Sequence, residues 1–343
     1  MDGQIIRFGR LVSAEPKMIK VFNLAQDIAQ TDATMLILGE SGTGKELMAQ
    51  AIHERSKRAG KPFVAVNCSA IPDNLIESVL FGHARGAFTD AVSNLEGKFK
   101  EASGGTLFLD EIGDMSPTMQ AKILRALENR EIQPVGSSKT VKVDIRLLAA
   151  TNKDLEKAIA QKEFRNDLFY RINEITMTLP PLRERQCDLH LIVWDMIQEY
   201  NKEYNKNIES ISLSVLGLLQ KHDWPGNVRE LRNIIKRTML LISDFTTQVF
   251  AEHLPVQFSP DVSKNGAAVP FKIPASPESS ACSSAMNVFM GDRMMSLEEI
   301  EKNYISLVLE KNSFNKSKAA RILGIDRTTL YEKIKKYQID DAK

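Results

Sequence analysis

The sequence predicts an α/β fold in which a parallel β-sheet is flanked by helices and joined to a helical subdomain, with a small all-α domain beyond it. Three observations predict this fold. Short apolar runs alternate with helical patterns between about residues 10 and 180, and the pattern is purely helical from there to about residue 258. A second helical segment follows a stretch rich in Ser, Pro, Ala and Gly. Continuous apolar strands between helices are typical of parallel sheets covered on both faces.

Apolar runs predict the strands of the sheet at residues 35–38, 63–66, 106–109, 145–150 and 175–179. Polar residues or glycine follow four of these runs, namely Gly39, Asn67, Asp110 and the pair Thr151 and Asn152. Ligands of open α/β sheets bind beyond the carboxyl ends of the strands. We therefore expect these positions to converge at one edge of the sheet.

Changes in composition predict the domain boundaries. The first domain covers residues 1–258, with the α/β part at about 1–181 and a helical lid at about 182–258. Residues 259–293 show no period and are typical of a flexible linker. Residues 294–343 form the second domain.

Composition excludes several classes of protein. The 343 residues carry a formal net charge of +1, and 43% are hydrophobic, as in an ordinary globular protein. Any nucleic-acid binding must therefore come from a local patch. The widely separated cysteines argue against a disulfide framework or a zinc site. Because neither a signal peptide nor a membrane-spanning run is evident, we expect a cytoplasmic protein without membrane partners.

A phosphate-binding loop follows the first apolar run of the sheet. Glycines let backbone N–H groups turn inward around a phosphate, and Lys45 adds a positive charge. The loop reads GESGTGKE, and its residues are Gly39, Glu40, Ser41, Gly42, Thr43, Gly44, Lys45 and Glu46. Glu46 stands where Ser or Thr commonly binds magnesium. The alternative is a glycine-rich turn that binds no ligand.

Two adjacent carboxylates, Asp110 and Glu111, end the third apolar run. Such carboxylates repel each other unless a cation lies between or beside them. We expect Asp110 to hold Mg²⁺ and Glu111 to polarise an attacking water. Solvated carboxylates at the end of a strand are the alternative.

A helix-turn-helix is predicted at residues 315–337, with Asp326 as a cap and with Leu330 and Ile334 facing inward on the second helix. The polar residues of that second helix suit contacts with base edges and phosphates in the major groove. They are Arg327, Thr328, Thr329, Tyr331, Lys333, Lys335 and Lys336. A basic, solvated helix is the alternative interpretation.

Several motifs, in their order along the chain, resemble those of bacterial enhancer-binding proteins, the NtrC-like AAA+ activators of sigma-54 RNA polymerase. They are GESGTGKE, GAFTDA, GGTLFLDEI, FRNDLFYRI and WPGNVREL. The C-terminal motif resembles the Fis-type helix-turn-helix of that family. The resemblance covers nearly all of the chain apart from the linker. It implies an AAA+ P-loop ATPase that uses ATP and Mg²⁺ and forms a ring, which we expect to be a hexamer built from dimers. It also implies that the protein binds enhancer-like upstream DNA and remodels the sigma-54 holoenzyme.

The resemblance also implies roles for individual residues. Asn67 would couple the γ-phosphate to Glu111, and Asn152 would be the first sensor. Arg165 and Arg171 would be fingers that reach the neighbouring subunit's site, and Arg229 would be the second sensor. From the residues alone, other interpretations stay open. The arginines of FRNDLFYRI could pair with Asp167 or Glu174, the asparagines could be turn residues, and Arg229 could be a solvated helix residue.

In the family, the GAFTDA loop contacts the sigma factor through Phe88 and Thr89. Asp90 replaces the glycine of the commonest form of this loop, and Val79 stands where an acidic residue is usual. The change at Asp90 removes conformational freedom and adds a negative charge. The alternative function is therefore a DNA-binding repressor or regulator that keeps the AAA+ domain, with a replication initiator ranked behind it. Since almost nothing precedes Phe8, we expect either a separate regulatory protein or a sensory domain that has been trimmed.

Overall fold

The computed structural model describes residues 5–87, 93–255, 258 and 326–337, together with residues 302, 305, 309, 316 and 320. The chain divides into two compact units, Asp2–Gly266 and Ala267–Lys343. The predicted linker at 259–293 lies outside the described residues, so the domain bounds remain a prediction. Within the described part, no helix is both long and apolar enough to cross a bilayer.

A five-stranded parallel sheet forms the centre of the larger unit and confirms the predicted fold class. Its strands are β3 Met35–Leu38, β4 Phe63–Asn67, β7 Thr106–Asp110, β10 Arg146–Thr151 and β11 Ile175–Thr178. They lie in the order β11-β3-β10-β7-β4. The sequence predicted all five to within a residue at each end. Asn67 pairs with Asp110 in register, so these two polar residues lie side by side at the carboxyl edge.

The shorter strands form separate ladders of two or three residues. They are β1 Ile6–Phe8, β2 Leu11–Ser13, β5 Gly82–His83, β6 Leu95–Glu96, β8 Glu131–Ile132, β9 Val141–Lys142, β12 Ser210–Ile211 and β13 Gln248–Val249. Of these ladders, β12–β13 belongs to the lid. The pair β5–β6 forms the stem of the segment that carries the GAFTDA loop.

Helices cover both faces of the sheet, and alternate strand residues pack into the apolar cluster on one face or the other. Leu36 packs into one apolar cluster, whereas Met35 and Ile37 pack into the other. The helices of this part are α1 Pro16–Ala29, α2 Lys45–Glu54, α3 Asp73–Phe81, α4 Lys98–Glu101, α5 Pro117–Asn129, α6 Leu155–Ala160 and α7 Asn166–Ile172.

The lid has its own apolar core. Its helices are α8 Gln186–Tyr204, α9 Leu213–Gln220 and α10 Asn227–Leu241. Leu189, Met196 and Tyr200 are buried on one side of α8, as their helical spacing predicted. Buried Trp224 closes this core and donates its Nε1 hydrogen to the carbonyl of Leu219 at 2.8 Å.

In the smaller unit, one helix is described continuously, α11 Arg327–Lys336. Leu330 and Ile334 are buried in a cluster with Ile305, Leu309, Ala320 and Tyr337, which confirms the predicted inward face. Asp326 takes the N-cap position, but its side chain makes no capping hydrogen bond. The remainder of the predicted first helix and Gly324 lie outside the described residues.

Candidate nucleotide-binding site

The phosphate loop connects β3 to α2, as expected from its sequence. Gly42 and Gly44 have φ angles of 79° and 105°, in the left-handed region that favours glycine. Lys45 begins α2, and its Nζ atom donates to the carbonyls of Gly39 at 2.9 Å and Glu40 at 3.4 Å. Glu46 is exposed in the first turn of the helix. The loop therefore wraps around a buried lysine at the amino end of a helix, the geometry that binds phosphate.

The carboxylate of Asp110 lies at the end of β7 and suits a cation. Its Oδ1 atom is buried and has no hydrogen-bond partner within the described structure. Burial, followed by the charge of Glu111, raises the pKa of Asp110. Mg²⁺ in such sites takes one or two carboxylates and completes its shell with phosphates and water. The described residues contain no cluster of three metal-binding side chains. The buried, unpartnered Oδ1 atom of Asp110 is chemically suited to such a cation.

Glu111 connects the phosphate loop to the neighbouring strand end. Its Oε1 atom lies 3.2 Å from Lys45 Nζ, and its Oε2 atom accepts the backbone N–H of Asn152 at 2.9 Å. Its φ angle of 53° places its backbone in the left-handed region, which is strained for a residue with a Cβ atom. The fold thus brings Lys45, Glu111 and Asn152 together.

Asn67 contacts Asp110 rather than Glu111 in this structure. Its Nδ2 atom lies 3.5 Å from Asp110 Oδ2. Its Oδ1 atom accepts the backbone N–H groups of Ser69 and Ala70, so the side chain is partly occupied in capping a short helical turn. Register places Asn67 beside Asp110, and its role in coupling the γ-phosphate to Glu111 stays a prediction.

Arg229 reaches the phosphate loop from the lid. Its Nη1 atom donates to Ser41 Oγ at 2.8 Å. Three lid residues not expected from the sequence also contact the loop, namely Arg183, Arg185 and Asn227. The run PLRER at the start of the lid contains Arg183 and Arg185. These two closely spaced cations were the sequence signal from which their contact with the loop could have been predicted.

The two arginines expected to act as fingers make ion pairs within their own chain. Arg165 Nη2 lies 2.6 Å from Asp167 Oδ2, and Arg171 Nη1 lies 3.1 Å from Glu174 Oε1. Arg171 also lines a polar cavity of about 520 Å³ with Thr34 and Asp144, which precede β3 and β10 and so mark the amino edge of the sheet. In a single subunit Arg171 is therefore at the edge opposite the phosphate loop.

Phe88 and Thr89 of the GAFTDA loop lie outside the described residues, as does Asp90. The stem of this segment is tied to the β8–β9 hairpin, because the backbone of Ala84 donates to Val135 and that of Val135 donates to Gly82, each at 2.9 Å.

On α11, most of the residues expected to contact DNA are exposed or half-buried. They are Arg327, Thr328, Thr329, Lys333, Lys335 and Lys336. Tyr331 lies within the helix, and its side chain is outside the described part. The helix therefore presents cations beside a buried face formed by Leu330 and Ile334.

The parallel sheet, the phosphate loop, the carboxylates at the strand end and the helical lid together define an AAA+ P-loop domain. The family model of the sigma-54 interaction domain matches residues 11–178. The AAA+ ATPase lid domain matches residues 183–269, and the Fis-family bacterial regulatory protein model matches residues 296–337. The chain belongs to the family of sigma-54-dependent, NtrC-like transcriptional regulators with a Fis-type helix-turn-helix.

Individual relatives cover almost the whole chain. The regulatory protein AtoC of Escherichia coli K12 is 41% identical over 338 residues, which cover 98% of this chain and 69% of AtoC. The transcriptional regulatory protein FlbD of Caulobacter vibrioides is 43% identical over 332 residues, which cover 95% of this chain and 70% of FlbD. Among solved structures, NtrX from Brucella abortus in complex with ATP has a TM-score of 0.65 at 31% identity, with 96% of this chain and 70% of that chain covered.

Proposed function

We propose that the protein hydrolyses ATP in an oligomeric ring and uses the reaction to convert the closed complex of sigma-54 RNA polymerase into the open complex. The observation that carries the proposal is the convergence of Lys45, Glu111 and Arg229 on one phosphate loop. Membership of the family and the ATP bound to NtrX support the same ligand.

In this proposal each residue at the carboxyl edge has one task. Lys45 moves from Glu111 to the phosphates of ATP, which leaves the Glu111 carboxylate available to accept a proton from the attacking water. The N–H of Asn152 keeps that carboxylate oriented, and Asn67 extends from Asp110 toward the γ-phosphate. Asp110 would hold Mg²⁺, which when bound neutralises negative charge on the phosphates.

Hydrolysis would take place between subunits. Arg165 and Arg171 would leave Asp167 and Glu174 to stabilise phosphoryl charge in the neighbouring site, a contribution of about 10³ to 10⁵ in rate where such fingers have been measured. Both ion pairs are exposed, and exposed pairs contribute little to stability, so a neighbouring phosphate can displace the carboxylates. Ring assembly, proposed as a hexamer built from dimers, is therefore a condition for turnover.

The remaining parts would connect this reaction to its targets. Phe88 and Thr89 would contact the sigma factor when ATP is bound, and α11 would enter the major groove of upstream DNA. We place the functional boundaries at residues 258 and 294, as the sequence predicts, and the protein in the cytoplasm with its polymerase and DNA. A separate regulatory protein could supply the input signal.

The test is open-complex formation by purified sigma-54 polymerase, with the protein, upstream DNA and ATP. We expect opening with ATP, none with a non-hydrolysable analogue, and none with a Lys45→Ala variant that still binds DNA. Efficient ATP hydrolysis and DNA binding without any opening would instead favour the repressor, since Asp90 alters the loop that contacts the sigma factor.

A further inference from the structure

Three consecutive carbonyls of the phosphate loop are held by the lid. Asn227 Nδ2 donates to the carbonyl of Ser41 at 3.1 Å. The backbone N–H of Val228 donates to the carbonyl of Gly42 at 3.0 Å, and Arg185 Nη2 donates to the carbonyl of Thr43 at 3.0 Å. The donors come from two separate lid segments, the turn at Leu182–Glu184 with the residue after it and the start of α10.

The geometry of the peptide bond determines where the N–H groups that follow these carbonyls lie. In a planar trans peptide the C=O and the following N–H point in opposite directions. Carbonyls drawn toward the lid therefore leave the N–H groups of Gly42, Thr43 and Gly44 on the opposite side of the loop. Of these, the N–H of Thr43 donates to the carbonyl of Glu40 at 3.4 Å, a long bond that an entering phosphate would replace. Backbone N–H groups that face inward in succession are what an anion-binding loop requires.

The lid also controls the one carboxylate at the start of the loop. Arg183 donates to both oxygens of Glu40, at 2.9 and 2.5 Å, and Asn227 donates to Glu40 Oε2 at 3.0 Å. The hydrogen bonds from Arg183, and next from Asn227, lower the pKa of Glu40. A carboxylate there would repel a polyphosphate, and pairing with Arg183 offsets its charge.

Burial and strain indicate that these lid residues are built for the loop. Asn227 is fully buried, has a φ angle of 51° and also accepts the backbone N–H of Leu182 at 2.8 Å. Arg185 is buried, and its Nε atom has no hydrogen-bond partner within the described structure. A guanidinium that is buried without full pairing is destabilising, so Arg185, which lies within electrostatic range of Asp188 and donates to the carbonyl of Thr43, is retained at a cost in stability.

We propose that Arg183, Arg185 and Asn227 are positioning residues through which the lid pre-shapes the phosphate loop for a nucleotide polyphosphate. The inference rests on the proposed function in taking ATP as the ligand. It goes further by assigning the shape of the loop to the lid rather than to the loop's glycines alone. Loss of one of these residues should weaken the binding of phosphates and leave the binding of the nucleoside unchanged.

The experiment measures dissociation constants of the full chain for ATP, pyrophosphate and adenosine by titration calorimetry or competition. Arg183 is partly exposed, so Arg183→Gln should fold normally. The matched control is Glu184→Gln, which removes a neighbouring contact between the lid and α1, the ion pair with Lys17 at 3.0 Å, and does not touch the loop. Thermal unfolding of every variant checks the fold.

We expect Arg183→Gln to weaken ATP and pyrophosphate binding by about three- to tenfold, with adenosine and the Glu184→Gln protein unchanged. Adding Glu40→Gln to Arg183→Gln should restore much of the affinity, because no unpaired carboxylate then faces the phosphates. Asn227→Ala should weaken the binding of ATP and of pyrophosphate by roughly tenfold or more. Equal behaviour of Arg183→Gln and Glu184→Gln, or an equal loss for ATP and adenosine, would overturn the inference. Wild-type protein that binds no ATP would overturn the proposed function as well.

Discussion

Replacing Glu111 by Gln separates binding from hydrolysis. Lys45 and Glu111 are nearly buried, with side-chain exposures of 6% and 14%, and their charged atoms lie 3.2 Å apart. At an effective dielectric constant of about 20, this distance gives a gross attraction of about 5 kcal/mol. Desolvation offsets much of it, and Lys45 keeps its bonds to the carbonyls of Gly39 and Glu40. The net contribution of the pair should be about 1 to 2 kcal/mol.

The variant should therefore change three quantities in different directions. The free energy of unfolding without nucleotide should fall by about 1 to 2 kcal/mol, because Lys45 loses its partner. ATP should bind roughly 5- to 30-fold more tightly, because its phosphates no longer compete with Glu111 for Lys45. Turnover should fall by about 10² to 10⁴, because Gln cannot accept a proton from water. The glutamine oxygen can still accept the N–H of Asn152, so the backbone should keep its place.

The assays are chemical denaturation, ATP titration and phosphate release, each compared with Asp114→Asn. That control removes a neighbouring ion pair, between Asp114 and Lys153 at 2.7 Å, without touching Lys45. Near-normal turnover of Glu111→Gln would refute the assigned role in hydrolysis. Unchanged or weaker ATP affinity in a folded variant would refute the competition between Glu111 and the phosphates.

Asp110, Gly42 and Arg171 each allow a separate test of the site. Because burial raises the folded-state pKa of Asp110, its ionised form destabilises the metal-free protein at neutral pH, and this penalty disappears as pH falls. Asp110→Asn should accordingly raise the unfolding temperature at pH 7 while abolishing hydrolysis. An unchanged or lower unfolding temperature in scanning calorimetry would contradict this. Gly42→Ala would place a Cβ atom 2.4 Å from the carbonyl oxygen of Gly226 at a φ angle of 79°. We therefore expect the free energy of unfolding to fall by about 2 to 5 kcal/mol. An unchanged denaturation midpoint would count against the packing of the lid on the loop. Arg171→Ala and Lys45→Ala proteins should each be inactive, but mixing them should restore part of the ATPase activity. The Lys45→Ala subunit supplies the finger, and the Arg171→Ala subunit supplies the intact phosphate loop. Inactivity of well-assembled mixed rings would argue against a finger acting between subunits.

The sequence was sufficient for the sheet because each strand is a continuous apolar run with a polar residue or glycine after it. The same logic placed Lys45, Glu111 and Asn152 together, since carboxyl ends of parallel strands meet at one edge. The lid contacts could not be predicted in this way. Arg185 and Thr43 are 142 positions apart, and Arg229 and Ser41 are 188 apart, so no local pattern connects them.

Register and backbone conformation also determined details that residue type does not. Asn67 faces Asp110 because β4 and β7 pair at those residues, and the left-handed backbone of Glu111 turns its side chain toward Lys45 and Asn152. The intrachain partners of Arg165 and Arg171 were among the alternatives seen in the sequence. Their occurrence in a single subunit is compatible with the finger role, because that role requires a neighbour.

Open-complex formation with a Phe88→Ala variant tests the central claim most directly. Wild-type and variant proteins would be compared for ATP hydrolysis, for DNA binding and for opening of a sigma-54 promoter by purified polymerase. The account predicts that Phe88→Ala keeps hydrolysis and DNA binding within about twofold of wild type, because the substitution lies outside the phosphate loop and α11, and loses opening. Opening at wild-type levels by the variant would contradict the claim that this loop delivers the energy of hydrolysis to the polymerase.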